Sequence, residues 1–83
     1  MSVDFSRLRS LTARQLASGL KTDGFALKRQ KGSHRHYVHP DGRRVTLSFH
    51  DASDTFRIGT LRSIIELQAG WTEDDLRRLR LLP

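Results

Sequence analysis

The spacing of apolar residues changes twice along the chain. Over residues 11–24 they recur at helical intervals, through 25–49 they alternate with polar neighbours, and from 60 onward the helical interval returns. Thr12 with Gln15 three positions on makes a capping box, flanked by Leu11 and Leu16 as a hydrophobic staple. Leu16 and Leu20 begin an inward face. Gly19 weakens this helix by about 1 kcal/mol relative to alanine, and Gly24 ends it in a left-handed cap. Phe25 to Gln30 predicts a strand with Phe25 and Leu27 on one face, then Lys31-Gly32-Ser33 a turn, and His34 to His39 a second strand. In Pro40-Asp41-Gly42 proline presets φ, aspartate bonds its own backbone and glycine closes the turn. Arg43 to Phe49 predicts a third strand with Val45, Leu47 and Phe49 inward. His50 to Arg57 reads as a loop. Thr60 caps a long helix whose apolar face is Leu61, Ile64 and Ile65, and Gly70 stops it. Thr72 with Asp75 opens a short C-terminal helix over 73–82, with Trp71 and Leu76 stapling its entry and Leu76, Leu79 and Leu82 on one side. Residues 1–10 carry no apolar period and are expected to form a loosely ordered extension.

The order α-β-β-β-α plus a short last helix predicts an α+β fold, a three-stranded antiparallel sheet packed on helices. That is the outline of a double-stranded-RNA-binding domain, although an outline does not specify function. Eighty-three residues suit one small domain, 1–83. No repeat, low-complexity tract or linker divides it. The absence of cysteine excludes a disulfide scaffold and a thiol nucleophile. No apolar run approaches the ~18 residues of a membrane span. The first residues lack the basic and apolar regions of a signal peptide. The expected setting is the cytoplasm, with no membrane partner.

Charge sharpens the picture. The net charge is +6, and it is concentrated in residues 28–44. Lys28, Arg29, Lys31, Arg35, Arg43 and Arg44 stand there against Asp41 alone, with His34, His36 and His39 among them. A local basic stripe is the footprint of a polyanion binder; the plainer reading is a solvated face. Cleaving RNA without a metal needs a group that takes a proton from a 2′-hydroxyl near neutral pH. An imidazole, which ordinarily titrates near ~6.5, suits that task. His34 follows the glycine turn at a strand start, where its ring can reach a phosphate. Lys31, Arg35 and Arg43 are candidate cations for charge developing on phosphorus.

His36 shares the strand face of His34. It reads either as a second acid–base group or, the preferred reading, as a bystander along the phosphate path. Tyr37 alternates to the other side and belongs to the core. Gly32 serves the turn, and Ser33 either donates to a phosphate or caps the turn. A metal site built from His34, His36, His39 and His50 is disfavoured, because His39 faces opposite to His36 and no cysteine joins them.

The ordered motifs extend further. Asp23-Gly24-Phe25 precedes Gly32-Ser33-His34 and Tyr37. His39-Pro40-Asp41-Gly42-Arg43 follows, then Gly59-Thr60-Leu61-Arg62-Ser63-Ile64 and Ala69-Gly70-Trp71-Thr72. In this set the chain resembles the HicA family of toxins, the mRNA interferases of bacterial and archaeal toxin–antitoxin pairs. The loop at 51–57 is acidic, where relatives usually carry lysine or glycine. The resemblance implies a small dsRBD-like endoribonuclease that cleaves mRNA, with the histidine of Gly-Ser-His, His34, essential. It implies a HicB-like antitoxin partner. On this reading Lys28, Arg29, Lys31, Ser33, Arg35, His36, Arg43 and Arg44 contact RNA, Gly32 and Tyr37 are structural, and no metal or cofactor takes part. Two rivals remain at this point: a non-catalytic double-stranded-RNA-binding module, and a small scaffold whose basic face binds an acidic protein.

Overall fold

The computed structural model describes residues 3–82. A 3-10 turn (Phe5–Leu8) leads to α1 (Ala13–Asp23). Strands β1 (Ala26–Lys31), β2 (His34–Val38) and β3 (Arg44–Ser48) follow. Then come α2 (Ile58–Arg62), a π-helical segment that continues it (Ser63–Gln68), and α3 (Glu73–Arg78). The fold is α+β, and its sheet is antiparallel in the order β1-β2-β3. Tyr37, Val45 and Leu47 point from one sheet face into a core with Leu16 and Leu20 of α1, Leu61, Ile64 and Ile65, and Trp71, Leu76 and Leu79. The other sheet face carries His34, His36 and Thr46, none of which belongs to this core. No helix among the described residues is long and apolar enough to cross a membrane.

Local chemistry explains where elements start and stop. Thr12 and Gln15 form the reciprocal capping box, the Thr12 hydroxyl accepting from the Gln15 N–H at 3.2 Å and Gln15 Oε1 from the Thr12 N–H at 2.9 Å. Gly24 ends α1 with φ +107°. A Cβ there would also stand 2.9 Å from the His39 ring, so both conformation and space select glycine.

Four elements depart from the pattern-based expectation. The N-terminal segment is not loose over the residues described, though Met1 and Ser2 of that extension lie outside them. Asp4 caps the 3-10 turn through the Ser6 N–H at 3.1 Å, and Phe5 and Leu8 are buried. Residues three apart eclipse in a 3-10 turn, so these two reach the core together. The first strand starts at Ala26 instead of Phe25. Phe25 is turned into the core by the left-handed Gly24, and Leu27 stays 44% exposed at the sheet edge.

The second long helix begins at Ile58, with Arg57 as its N-cap and no side-chain cap, so Thr60 lies inside its first turn. It then widens: the Ala69 N–H donates to the Ile64 carbonyl five residues back, at 2.8 Å. This keeps Ile64, Ile65 and Ala69 inside and leaves Leu67 80% exposed. The last helix ends at Arg78 and does not run to 82. Arg80 takes φ +61°, and the Leu81 and Leu82 N–H groups fold back to the Leu76 carbonyl at 2.8 and 3.2 Å.

The C-terminus of α1 is fastened by Asp23. Trp71 Nε1 donates to Asp23 Oδ2 at 2.9 Å and Arg78 Nη2 to Oδ1 at 2.7 Å. Arg43 Nη1 lies 3.2 Å from Oδ2. The Asp23 carbonyl meets His39 Nε2 at 2.8 Å. Burial alone would raise the Asp23 carboxyl, but the bonds from Trp71 and Arg78 and the charges of Arg43 and Arg78 outweigh it and hold its pKa below the usual carboxylate value. A carboxylate depressed on folding contributes stability that is complete above its unfolded pKa and lost as pH falls through the folded one. Asp23→Asn should therefore cost about 1–3 kcal/mol at neutral pH, discounted because both arginines are partly exposed. Urea midpoints should draw together for wild type and variant as the pH falls below the ordinary carboxylate range and through the depressed Asp23 pKa.

Candidate functional site

The sheet's uncovered face is organised by a two-residue turn. Gly32 has φ +59° while Ser33 does not enter the positive region, which is the glycine-first pattern of a type II′ hairpin. A Cβ on Gly32 would meet nothing, so backbone conformation alone requires glycine. The turn sets Lys31 opposite His34, and the ladder continues to Ser48. The next row on this face is Arg29, His36 and Thr46. Directly opposed residues share a face with Cβ atoms about 4.5–5.5 Å apart, so each histidine stands beside one cation.

Strict alternation would not produce this arrangement. Leu27 pairs with Tyr37 on the core side, yet Arg29 pairs with His36 on the open side, because the register shifts between Leu27 and Arg29. Lys28 is the extra residue of a β-bulge, and the bulge turns Arg29 and Lys31 outward.

A depression of about 520 Å³ is lined by Arg29, Lys31, Gly32, Ser33, His34 and His36. Six of the residues expected from sequence thus meet in one place, and none of them is a carboxylate. His34 is exposed, and among the described residues its ring has no hydrogen-bond partner. His36 is half-buried, and its Nδ1 lies 3.1 Å from Thr46 Oγ1. A neighbouring hollow of about 310 Å³ holds Lys28, Arg29, Arg44, His36 and Thr46, so Lys28 and Arg44 flank the depression. Another hollow, about 440 Å³ along α1 and the C-terminal turn, contains no histidine and no carboxylate. Among the described residues no three His, Asp or Glu side chains gather to hold a metal ion.

Two expected contacts lie elsewhere. Arg35 alternates away from His34 and His36. Its Nη1 donates to the Ser33 and Phe49 carbonyls at 3.3 and 3.2 Å, and its guanidinium lies 3.9 Å over the Phe49 ring. It ties the hairpin turn to the end of β3. Arg43 is likewise committed to the fold. It donates to Ala69 O at 2.6 Å and to Asp41 Oδ2 at 2.8 Å, pairs with Asp23, and covers Phe25 at 5.0 Å. Neither guanidinium lines the depression that holds His34.

The remaining histidines are apart from it too. His39 has both nitrogens engaged, Nε2 with Asp23 O and Nδ1 with Asp41. His50 follows β3, its N–H held by Asp54 Oδ2 at 3.0 Å. Tyr37 is buried at 3% exposure, and burial raises its phenol pKa, opposed in part by the Arg35 charge. It is a core residue and no proton donor to this face.

Thr46 and Gln68 were missed in the reading of the chain. The Thr46 N–H donates to Gln68 Oε1 at 2.8 Å, and Gln68 Nε2 donates to Ser63 Oγ at 3.1 Å. Val45 and Leu47 facing inward already imply that Thr46 faces outward beside His36. Gln68 carries no such signal, since its position depends on the π-helical widening.

A family model described as the HicA toxin of bacterial toxin–antitoxin systems matches residues 13–74. No curated protein matches the chain. The matched span runs from the start of α1 into α3 and includes every residue of the depression.

Arg43→Gln should lower stability by about 1–3 kcal/mol, since it strands the Ala69 carbonyl and takes one of the two arginine partners from Asp23. Arg44→Gln, one residue on but exposed on the open face, should stay within about 0.5 kcal/mol of wild type. Urea denaturation of the two variants side by side measures the difference.

Proposed function

The chain belongs to the HicA toxin family, and from that premise we propose that it is an endoribonuclease that cleaves mRNA, with His34 as its general base and a HicB-like antitoxin as its restraint. The observation that carries this reading is His34 itself. It is exposed at a turn–strand junction with its ring nitrogens uncommitted, in a depression whose other side chains include Arg29 and Lys31. A base must reach the proton it abstracts, and an exposed imidazole without a protein partner is free to do so. The 2′-oxygen attacks the adjacent phosphorus as His34 takes its proton. Arg29 and Lys31 stabilise the negative charge that develops there. The products are a 2′,3′-cyclic phosphate and a 5′-hydroxyl.

Membership of a toxin family implies an antitoxin partner. A HicB-like protein presenting carboxylates to the Arg29–Lys31 rim would cover His34 and block the phosphate path together. The rival reading, a non-catalytic RNA-binding module, predicts RNA that is bound and left intact.

The deciding experiment incubates the purified protein with mRNA, with and without EDTA, beside His34→Ala. Wild type should cleave equally in both conditions, because no carboxylate lines the depression to hold Mg²⁺. His34→Ala should lose cleavage and growth arrest while keeping its stability within about 0.5 kcal/mol, as an exposed site without apolar contacts. Cleavage that survives His34→Ala, or that requires Mg²⁺, defeats the assignment.

Binding should also weaken with salt at a slope of about −0.7 per neutralised phosphate of single-stranded RNA. Arg29→Gln and Lys31→Gln should each flatten that slope by about one contact, and Arg35→Gln should leave it unchanged. Filter binding of a non-cleavable 2′-deoxy oligonucleotide across salt concentrations separates the three variants.

A further inference from the structure

In-line cleavage of RNA needs two proton transfers, one from the attacking 2′-hydroxyl and one to the departing 5′-oxygen. Resting on the ribonuclease reading above, we propose that His36 is the second catalytic group, the general acid that protonates the 5′-oxygen. His34 and His36 line the same depression. Two residues along a strand put their Cα atoms about 6.7 Å apart on one face, which leaves room for a single phosphate between the rings. Arg29 stands beside His36 and Lys31 beside His34, so that phosphate is held from the β1 side.

The hydrogen bond to Thr46 suits a group that changes protonation. Its hydroxyl, 3.1 Å from Nδ1, can accept from an N–H or donate to a bare nitrogen. A carboxylate there would hold the charged form, and a backbone carbonyl would hold the proton on Nδ1. With Nδ1 on Thr46, Nε2 is the nitrogen left for substrate. The ladder fixes the position of Thr46, and Gln68 completes its backbone bonding from the π-helical segment. His39 offers a contrast: both its nitrogens are already committed to the fold.

The step balances as follows. The 2′-oxygen–phosphorus bond forms and the phosphorus–5′-oxygen bond breaks. One proton passes from the 2′-hydroxyl to His34 and one from protonated His36 to the 5′-oxygen. The charged and titratable groups around His36 are His34 on β2, Arg29, Lys28 and Lys31 on β1, and Arg44 on β3, with neutral Thr46 and Gln68 behind it.

The test compares two substrates with the full chain in single turnover. One is an RNA oligonucleotide of mRNA sequence. The other is the same oligonucleotide with sulfur replacing the 5′-bridging oxygen, a leaving group that departs without protonation. His36→Gln should lose about 10²–10⁴-fold on the oxygen substrate, with little loss on the sulfur substrate, and should lose the high-pH limb of its rate profile. His34→Gln should lose on both. Thr46→Val, which leaves both rings present, should lose activity selectively on the oxygen substrate. Equal loss by His36→Gln on both substrates would make His36 a binding or structural residue and overturn the proposal, as would wild-type rates on both. If His36→Gln fails to fold, the same two-substrate comparison with Thr46→Val decides, and equal rates or equal losses overturn the proposal. Wild type that cleaves neither substrate would remove the ribonuclease reading, and with it this one.

Discussion

The carboxylate of Asp23 is the constraint on which the rest of the arrangement depends. It sits at the last turn of α1 and draws together three places far apart in sequence: Arg43 just before β3, Trp71 after the π-helical segment, and Arg78 at the end of α3. Its carbonyl adds His39 from the turn between β2 and β3. The charge is nearly enclosed, with its side chain 9% exposed, and it is stable there because two hydrogen-bond donors, Trp71 and Arg78, and the ion-paired Arg43 converge on it. Three aromatic rings close the knot, Phe25 meeting His39 and Trp71 edge-on at 5.0 and 6.5 Å.

This knot bears on the open face through the strands. Fastening the turn at residues 39–43 to the helical layer holds the far end of β2 and β3, while the Gly32-Ser33 turn and Arg35 hold the near end. Between those two fixed ends lie His34 and His36, on a rigid ladder with their neighbours set by register. An acid–base pair needs that kind of placement, because small displacements in a proton-transfer site are costly. Two of the arginines in the basic stripe therefore work on the fold, and the cations left on the face of the two histidines are Arg29 and Lys31 with Lys28 and Arg44 beside them. The division follows from geometry: a guanidinium beside a buried carboxylate or a backbone carbonyl finds stronger partners there than solvent offers.

Much of this was legible in the chain. The Thr12–Gln15 box, the Gly24 stop, the glycine turn before His34 and the alternation of Val45 and Leu47 all rest on local rules. So did the inward Tyr37 and the outward pair His34 and His36. The same alternation, applied to Arg35, already places it on the face opposite His34 and His36. The 3-10 turn carries no such local signal, because two apolar residues, Phe5 and Leu8, are too few to show a period, although both are buried in the core.

What the sequence determined by itself is therefore the set of elements, the face each strand residue shares with its neighbours two positions away, and the clustering of histidine and cation in one hairpin. These depend on backbone propensity and on a two-residue period, both properties of nearby residues. Tertiary structure alone decided which cations face the histidines and which serve the fold. The bulge at Lys28 reverses the alternation of β1, and pattern counting along one strand cannot detect an extra residue that only pairing with β2 reveals. Arg43 was drawn from the basic stripe by Asp23, twenty residues earlier in the chain, and Gln68 reached Thr46 through a widened helical turn. Each of these outcomes depends on where a distant partner sits once the core has closed.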